Sequence, residues 1–166
     1  MRLIGSIAAL LLCILFGKSK AAELDMRQRI MHNFALDMRA LAAEMQYRPR
    51  DIKDIAQMLS EGALGEFWRE FMLNVSKGTG AEQAWEQAAK TCGEFHILSM
   101  QEMALIAESG RSIGIMNAED NAKMLKDRSE QAETYAAELK TQSKSKGAIY
   151  QKLGMLGGLA IMLLIA

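Results

Sequence analysis

A single proline, Pro49, and only two cysteines occur in 166 residues. So little proline leaves long stretches without a forced helix break. Cys13 sits inside an apolar run and Cys92 in mid-chain, so no disulfide framework can staple the central region, which fits a reducing compartment. Aromatic residues make up 6% of the chain, and β-branched residues are few outside its ends. Ala, Leu, Met, Glu, Gln and Lys take their place, a composition that favours helix and excludes a sheet-based enzyme. Nor is there an excess of one charge: 20 basic residues balance 20 acidic ones. A nucleic-acid binder would carry a basic footprint, so that class is excluded too.

Catalytic and metal-binding patterns are also missing. His32 and His96 are the only imidazoles, and neither follows a Glu at the three-residue spacing that a di-metal carboxylate bundle needs. Glu94 lies two residues from His96, in the wrong helical phase. The cysteines have no zinc spacing, and the glycines of Gly110-Arg111-Ser112-Ile113-Gly114 read as a turn between helices rather than a phosphate loop. Cys92 and His96 would be one turn apart only if a helix ran through Gly93. The expectation is a non-enzymatic protein with no cofactor, metal or small-molecule substrate.

What is present is an uneven distribution of apolar residues. Leu3 to Phe16 and Leu153 to Ala166 are each fourteen residues without a charge, and every charged residue except Arg2 lies between them. Fourteen helical residues reach only about 21 Å of a hydrocarbon layer about 30 Å thick. A last helix running from Ala148 offers nineteen residues, with Lys152 able to extend its ammonium toward the headgroups. The reading is an N-terminal membrane anchor over 1–20, a helical domain over 21–147 and a C-terminal anchor over 148–166. Lys18, Lys20, Arg27 and Arg29 flank one anchor on the central side, and Lys140, Lys144, Lys146 and Lys152 the other, against Arg2 outside. The positive-inside bias puts the central domain in the cytoplasm, and the four lysines suit an anionic leaflet. The alternative is a cleaved signal peptide, with Ser19-Lys20-Ala21 as the processing site, leaving a C-terminally anchored helical adaptor. Lys18 and Lys20 oppose it, because positive charge directly after the apolar run resists translocation. Gly5 with Ala9, and Gly154 with Gly158, place small residues four apart, a spacing that lets helices approach closely in lipid.

Between the ends, Met26, Ile30, Phe34, Met38, Leu41 and Met45 recur at steps of four and three, an amphipathic helix that Pro49 terminates. Pro49 suits the first turn of a following helix carrying Ile52, Ile55, Ala56 and Leu59. Leu64, Phe67, Trp68, Phe71, Met72 and Val75 form the most apolar stripe and read as core. Thr79 and Glu82 have the form of a reciprocal cap for a short helix that buries Trp85, Ala88, Ala89 and Cys92. A further helix is expected from Phe95 to Ser109. Asn117, before Glu119 and Asp120, can cap a last helix. Running to Ala166, that helix would span about 73 Å and serve as stalk and anchor.

The C-terminal third resembles the stage III sporulation protein AB family of endospore-forming bacteria. The resemblance lies in Ala84-Trp85, in Gln101-Glu102-Met103-Ala104-Leu105, in Ser112-Ile113-Gly114, and above all in the anchor from Lys146 through Tyr150, Leu153-Gly154 and Gly157-Gly158-Leu159. It extends weakly to Leu41 to Glu44, Tyr47 and Pro49. Asn117 stands where the family often has Asp, and Asn121 where it has Gln. The resemblance implies an all-α helical bundle domain of the type II secretion platform-protein kind, with a long C-terminal helix running into a membrane anchor. It also implies a subunit of the channel complex linking mother cell and forespore, in the mother-cell membrane around the forespore. Its partners would be the membrane, a secretion-type ATPase, other channel subunits and a possible second copy. The residues expected at a partner surface are Trp85, Glu102, Arg111, Gly114, Asn117, Glu119 and Asp120. Membrane packing is expected at Gly5, Ala9, Gly154 and Gly158.

Overall fold

The computed structural model describes the backbone of residues 2–47, 51–111, 113 and 117–165, and the side chains of Leu15, 19–47, 51–111, 113, 117, 119–145 and Leu156. All regular structure among these residues is helical: α1 (Arg2–Tyr47), α2 (Ile52–Leu59), α3 (Gly65–Ser76), α4 (Ala81–Thr91), a short 3-10 helix (Gly93–Ile97), α5 (Met100–Ser109) and α6 (Ala118–Ile165). The chain divides into two compact units, one made of 1–28 with 137–166 and the other of 29–136.

In the first unit, polar pairs form between described side chains. Ser143 donates its hydroxyl to the Asp25 carboxylate, and Lys20 pairs with Glu23 one turn on, at 2.8 Å. Among the described residues no helix is long and apolar enough to cross a membrane. The expected anchors fall almost wholly outside the described side chains, as do Gly5, Ala9, Gly154 and Gly158.

In the second unit, α1 and α6 run antiparallel, as their cross-helix contacts show. Gln46 accepts from Lys126 at 2.8 Å, Ser129 donates to the Ala35 carbonyl at 2.9 Å while accepting from Arg39 Nε at 2.9 Å, and Glu133 meets His32 at 3.2 Å. The amphipathic stripe of α1 is buried at Ile30, Phe34, Met38 and Leu41, and Leu125, Ala132 and Ala136 are buried on α6.

The shorter helices close around aromatic rings. Trp85 of α4 has no exposed surface and meets Phe67, Trp68, Phe71 and Phe34 edge-on, at centroid distances of 4.9, 5.5, 5.9 and 6.4 Å. Edge-to-face pairs add about 0.5–1.5 kcal/mol each beyond area burial. An indole N–H must find an acceptor when buried, and both do. Trp85 Nε1 donates to the Ile106 carbonyl at 2.7 Å, and Trp68 Nε1 to Asp37 Oδ2 at 2.6 Å. The Ile106 carbonyl belongs to the last turn of α5, where helical amide donors run out; the Gly110 amide turns to Ala107 at 3.3 Å instead.

Three helix boundaries differ from the sequence expectation. Asp51 caps α2, accepting from the Lys53 amide at 3.1 Å, so α2 starts after Pro49, itself outside the described residues. Gly80 stands at the N-cap of α4 and Thr79 makes no cap, because Thr79 already closes α3. Its amide bonds the Asn74 carbonyl at 3.2 Å and that of Gly78 bonds Val75 at 3.0 Å, the paired closure of a Schellman turn. Gly78 makes that turn at φ 88°, where a side chain would be strained. The capping box sits at Ser99 and Glu102 instead: Ser99 Oγ accepts from the Glu102 amide at 3.3 Å and Glu102 Oε2 from the Ser99 amide at 2.9 Å. Leu98 and Ser99 are extended, which splits the expected Phe95 to Ser109 helix into the 3-10 turn and α5.

Two measurements test this core. A Cβ on Gly110 would lie 2.2 Å from Trp85 Cγ, and the indole cannot retreat without losing its bond to Ile106. Gly110→Ala should destabilise the chain by about 2–3 kcal/mol in denaturant unfolding. Gly80→Ser, at a cap with open space, should change it by less than about 0.5 kcal/mol. The second concerns Asp37, whose carboxyl burial raises from 3.8 to about 6, with the Trp68 N–H pulling the other way. A raised folded-state value means the native state holds the proton more tightly. The contribution is therefore fully present below pH 3.8 and is lost as pH rises through 6. Asp37→Asn, which can still accept from Trp68, should flatten the pH dependence of the unfolding midpoint between these values.

Candidate partner surface

Two neighbouring features of the second unit are open to solvent. The first is the end of α5 together with the start of α6. Gly110 and Arg111 leave α5 in a tight turn, with the Arg111 amide bonding Glu108 at 3.2 Å. The Arg111 side chain is exposed, and its charge acts on the Glu86 carboxylate of α4, though Lys90 acts on Glu86 more strongly, paired at 2.6 Å. Ile113 folds back into the core. Asn117 caps α6 as expected: its Oδ1 accepts from the Asp120 amide at 2.9 Å, and its Nδ2 donates to Asp120 Oδ2 at 2.8 Å. Glu119 and Asp120 are exposed in the first turn, where the helix dipole favours negative charge. Farther along, Arg128 reaches back to Glu108 of α5 at 3.4 Å. Gly114 lies outside the described residues.

The second feature is a groove between α4 and α5, floored by the 3-10 turn. It has a volume of about 480 Å³. From α5 it takes Met100, Met103, Ala104 and Ala107, at spacings of three, one and three, and from α4 Glu86, Ala89 and Lys90. Phe95, Leu98 and Cys92 line the far side. The capping box creates this groove, since ending the extended link at Ser99 starts α5 with Met100 turned outward, 90% exposed.

Two residues expected at a partner surface are interior. Trp85 is wholly enclosed by rings, because α4 turns its Ala84, Trp85, Ala88 and Ala89 face inward. Glu102 is 3% exposed, and its carboxylate is held by the Ser99 amide. The signal for that role was legible as Ser-x-x-Glu before an apolar run. Arg111, Asn117, Glu119 and Asp120 are each exposed, the last three at the start of α6.

The geometry offers little chemistry. Burial pushes the Cys92 thiol up to about 11, helped by the carboxylates of Glu66 and Glu94, so at neutral pH it is protonated and a poor nucleophile. The His96 ring is engaged locally by the Gly93 carbonyl, and His32 by Glu133. Among the described residues no group of three or more His, Cys, Asp or Glu side chains is placed to hold a metal ion. The groove is mostly apolar in its lining and carries the Glu86–Lys90 pair on its α4 side.

Comparison with known proteins gives one positive finding. No curated protein and no solved structure matches the chain. The family model described as stage III sporulation protein AB matches residues 2–166. With all but its first residue covered by that match, the chain belongs to the stage III sporulation protein AB family, which places its role in stage III of sporulation.

Proposed function

We propose that the chain is a non-enzymatic membrane platform subunit of a secretion-like channel complex linking mother cell and forespore, with its globular helical unit on the cytoplasmic side. The observation that carries this is the course of α1 and α6. Each helix continues without a break into a terminal run of fourteen uncharged residues, and the ends of the two helices form one compact unit. Leu15 and Leu156 leave 62% and 63% of their surface uncovered there. Apolar surface of that kind is costly in water and at home in lipid. The same unit, 1–28 with 137–166, holds eight basic and three acidic residues, the imbalance that favours a cytoplasmic flank beside an anionic leaflet. Gly5 with Ala9 and Gly154 with Gly158 would let the anchors pack closely in the bilayer.

The proposed partners are a secretion-type ATPase, other channel subunits and a second copy, engaged through the exposed α5–α6 turn and the start of α6. Arg111, Asn117, Glu119 and Asp120 present alternating polar and charged groups there, on a turn pinned to the core by Ile113.

Two experiments check this reading. In a Cys13→Ser background, Gly80→Cys should resist a membrane-impermeant thiol reagent in intact sporulating cells and react after lysis. Cys92 stays silent because it is buried. Labelling before lysis would overturn the orientation. Arg111→Glu should leave the unfolding midpoint within a few tenths of a kcal/mol of wild type, while weakening co-purification of the ATPase by about 2–5 kcal/mol. Undiminished recovery would remove the turn from the interface.

A further inference from the structure

We infer that the α4–α5 groove is a docking site for one amphipathic helix of another polypeptide, apolar on one face and basic on its flanks. Shape is the first reason. Met100, Met103, Ala104 and Ala107 lie along α5 in the register of a helical stripe, and with Ala89 and Phe95 they line the groove. A helix meets such a groove through side chains three and four apart, and α5, at ten residues, is long enough for two to three turns of contact. Small alanines let the incoming backbone come close, while the two methionines adapt to whatever it carries. Met100 at 90% exposure is surface that water does not favour and that no described residue covers.

Charge identifies the flanks of the occupant. The segment from Asp54 to Glu108 has nine carboxylates and three cations, although the chain as a whole is neutral. One of those carboxylates lines the groove, and two more lie close enough to its wall to act on it. Glu86 is the one in the lining, and Glu66 and Glu94 act on the Cys92 thiol in the wall. Lys90, which also lines the groove, is already tied to Glu86, on which Arg111 acts more weakly. A helix with basic flanks gains from this field, and an acidic one is repelled.

The experiment uses the full chain in phosphatidylcholine nanodiscs, with empty nanodiscs subtracted. Its probe is a dye-labelled fourteen-residue helical peptide of leucine and lysine, with leucines on one face; the control peptide replaces every lysine by glutamate. Fluorescence anisotropy should show saturable binding of the lysine peptide, weakening with added salt, and at least about tenfold weaker binding of the glutamate peptide. Met100→Lys and Glu94→Lys, both at exposed positions, should each weaken binding of the lysine peptide by about fivefold or more. Leu73→Lys, an exposed apolar residue of α3 outside the groove, should change it less than twofold. The inference is overturned by equal affinity for the two peptides, by indifference to Met100→Lys, or by an equal loss from Leu73→Lys. Self-association of the chain that Met100→Lys dissolves would also overturn it, because a second copy would then occupy the groove.

Discussion

Everything in the globular unit is arranged around the need to bury the Trp85 indole and satisfy its N–H. The ring meets four other aromatic side chains drawn from α1 and α3, so the burial of one residue of α4 joins three helices. Its N–H needs an acceptor, and the end of α5 supplies one in the Ile106 carbonyl. Gly110 follows because that approach leaves no room for a Cβ against the ring. The exit of α5, and with it the turn that bears Arg111, is set by the accommodation of a tryptophan on another helix. Trp68 repeats the pattern with a side-chain acceptor, and there the cost is visible as a carboxyl, Asp37, driven toward its protonated form.

The surface divides by charge in a way that the neutral total conceals. Residues 29–136 carry twelve basic and seventeen acidic side chains, and 1–28 with 137–166 carry eight and three. Each unit taken by itself is therefore suited to a partner of the opposite sign. Some of the acidic residues also serve the fold while keeping their charge: Glu102 accepts in a capping box and Glu66 accepts from the Gly93 amide at 3.0 Å. Glu119, Asp120 and Glu94 remain exposed. Among the described residues, charge and apolar surface lie exposed together at the groove between α4 and α5.

Helix identity was legible in the sequence because the signals are local. The four-three recurrence from Met26 to Met45, the scarcity of proline, and Asn117 ahead of two acids each act within one or two turns, and α1 and α6 follow them. Boundaries were less legible where two local signals competed for one residue. Thr79 could cap α4 or close α3, and the left-handed turn at Gly78 decides for α3 by using the Thr79 amide. Ser99 and Glu102 carried the same cap pattern without competition, and they make the capping box.

By itself, then, the sequence determined an all-helical chain, the apolar stripe around Phe67 and Trp68, the uncharged ends, the cap at Asn117 and, through its anchor and turn motifs, the family. Those follow from composition, from spacing of 3.6 residues per turn, and from motif order along the chain. Which amphipathic faces met was decided only in the tertiary structure. Trp85 and Glu102 are interior, Met100 is outside, and a groove opens between α4 and α5 because burial depends on the partners a face finds, and those partners lie from about twenty to about fifty residues away along the chain. Local pattern states that a face is apolar; the packing of three helices on one indole decides which face is covered.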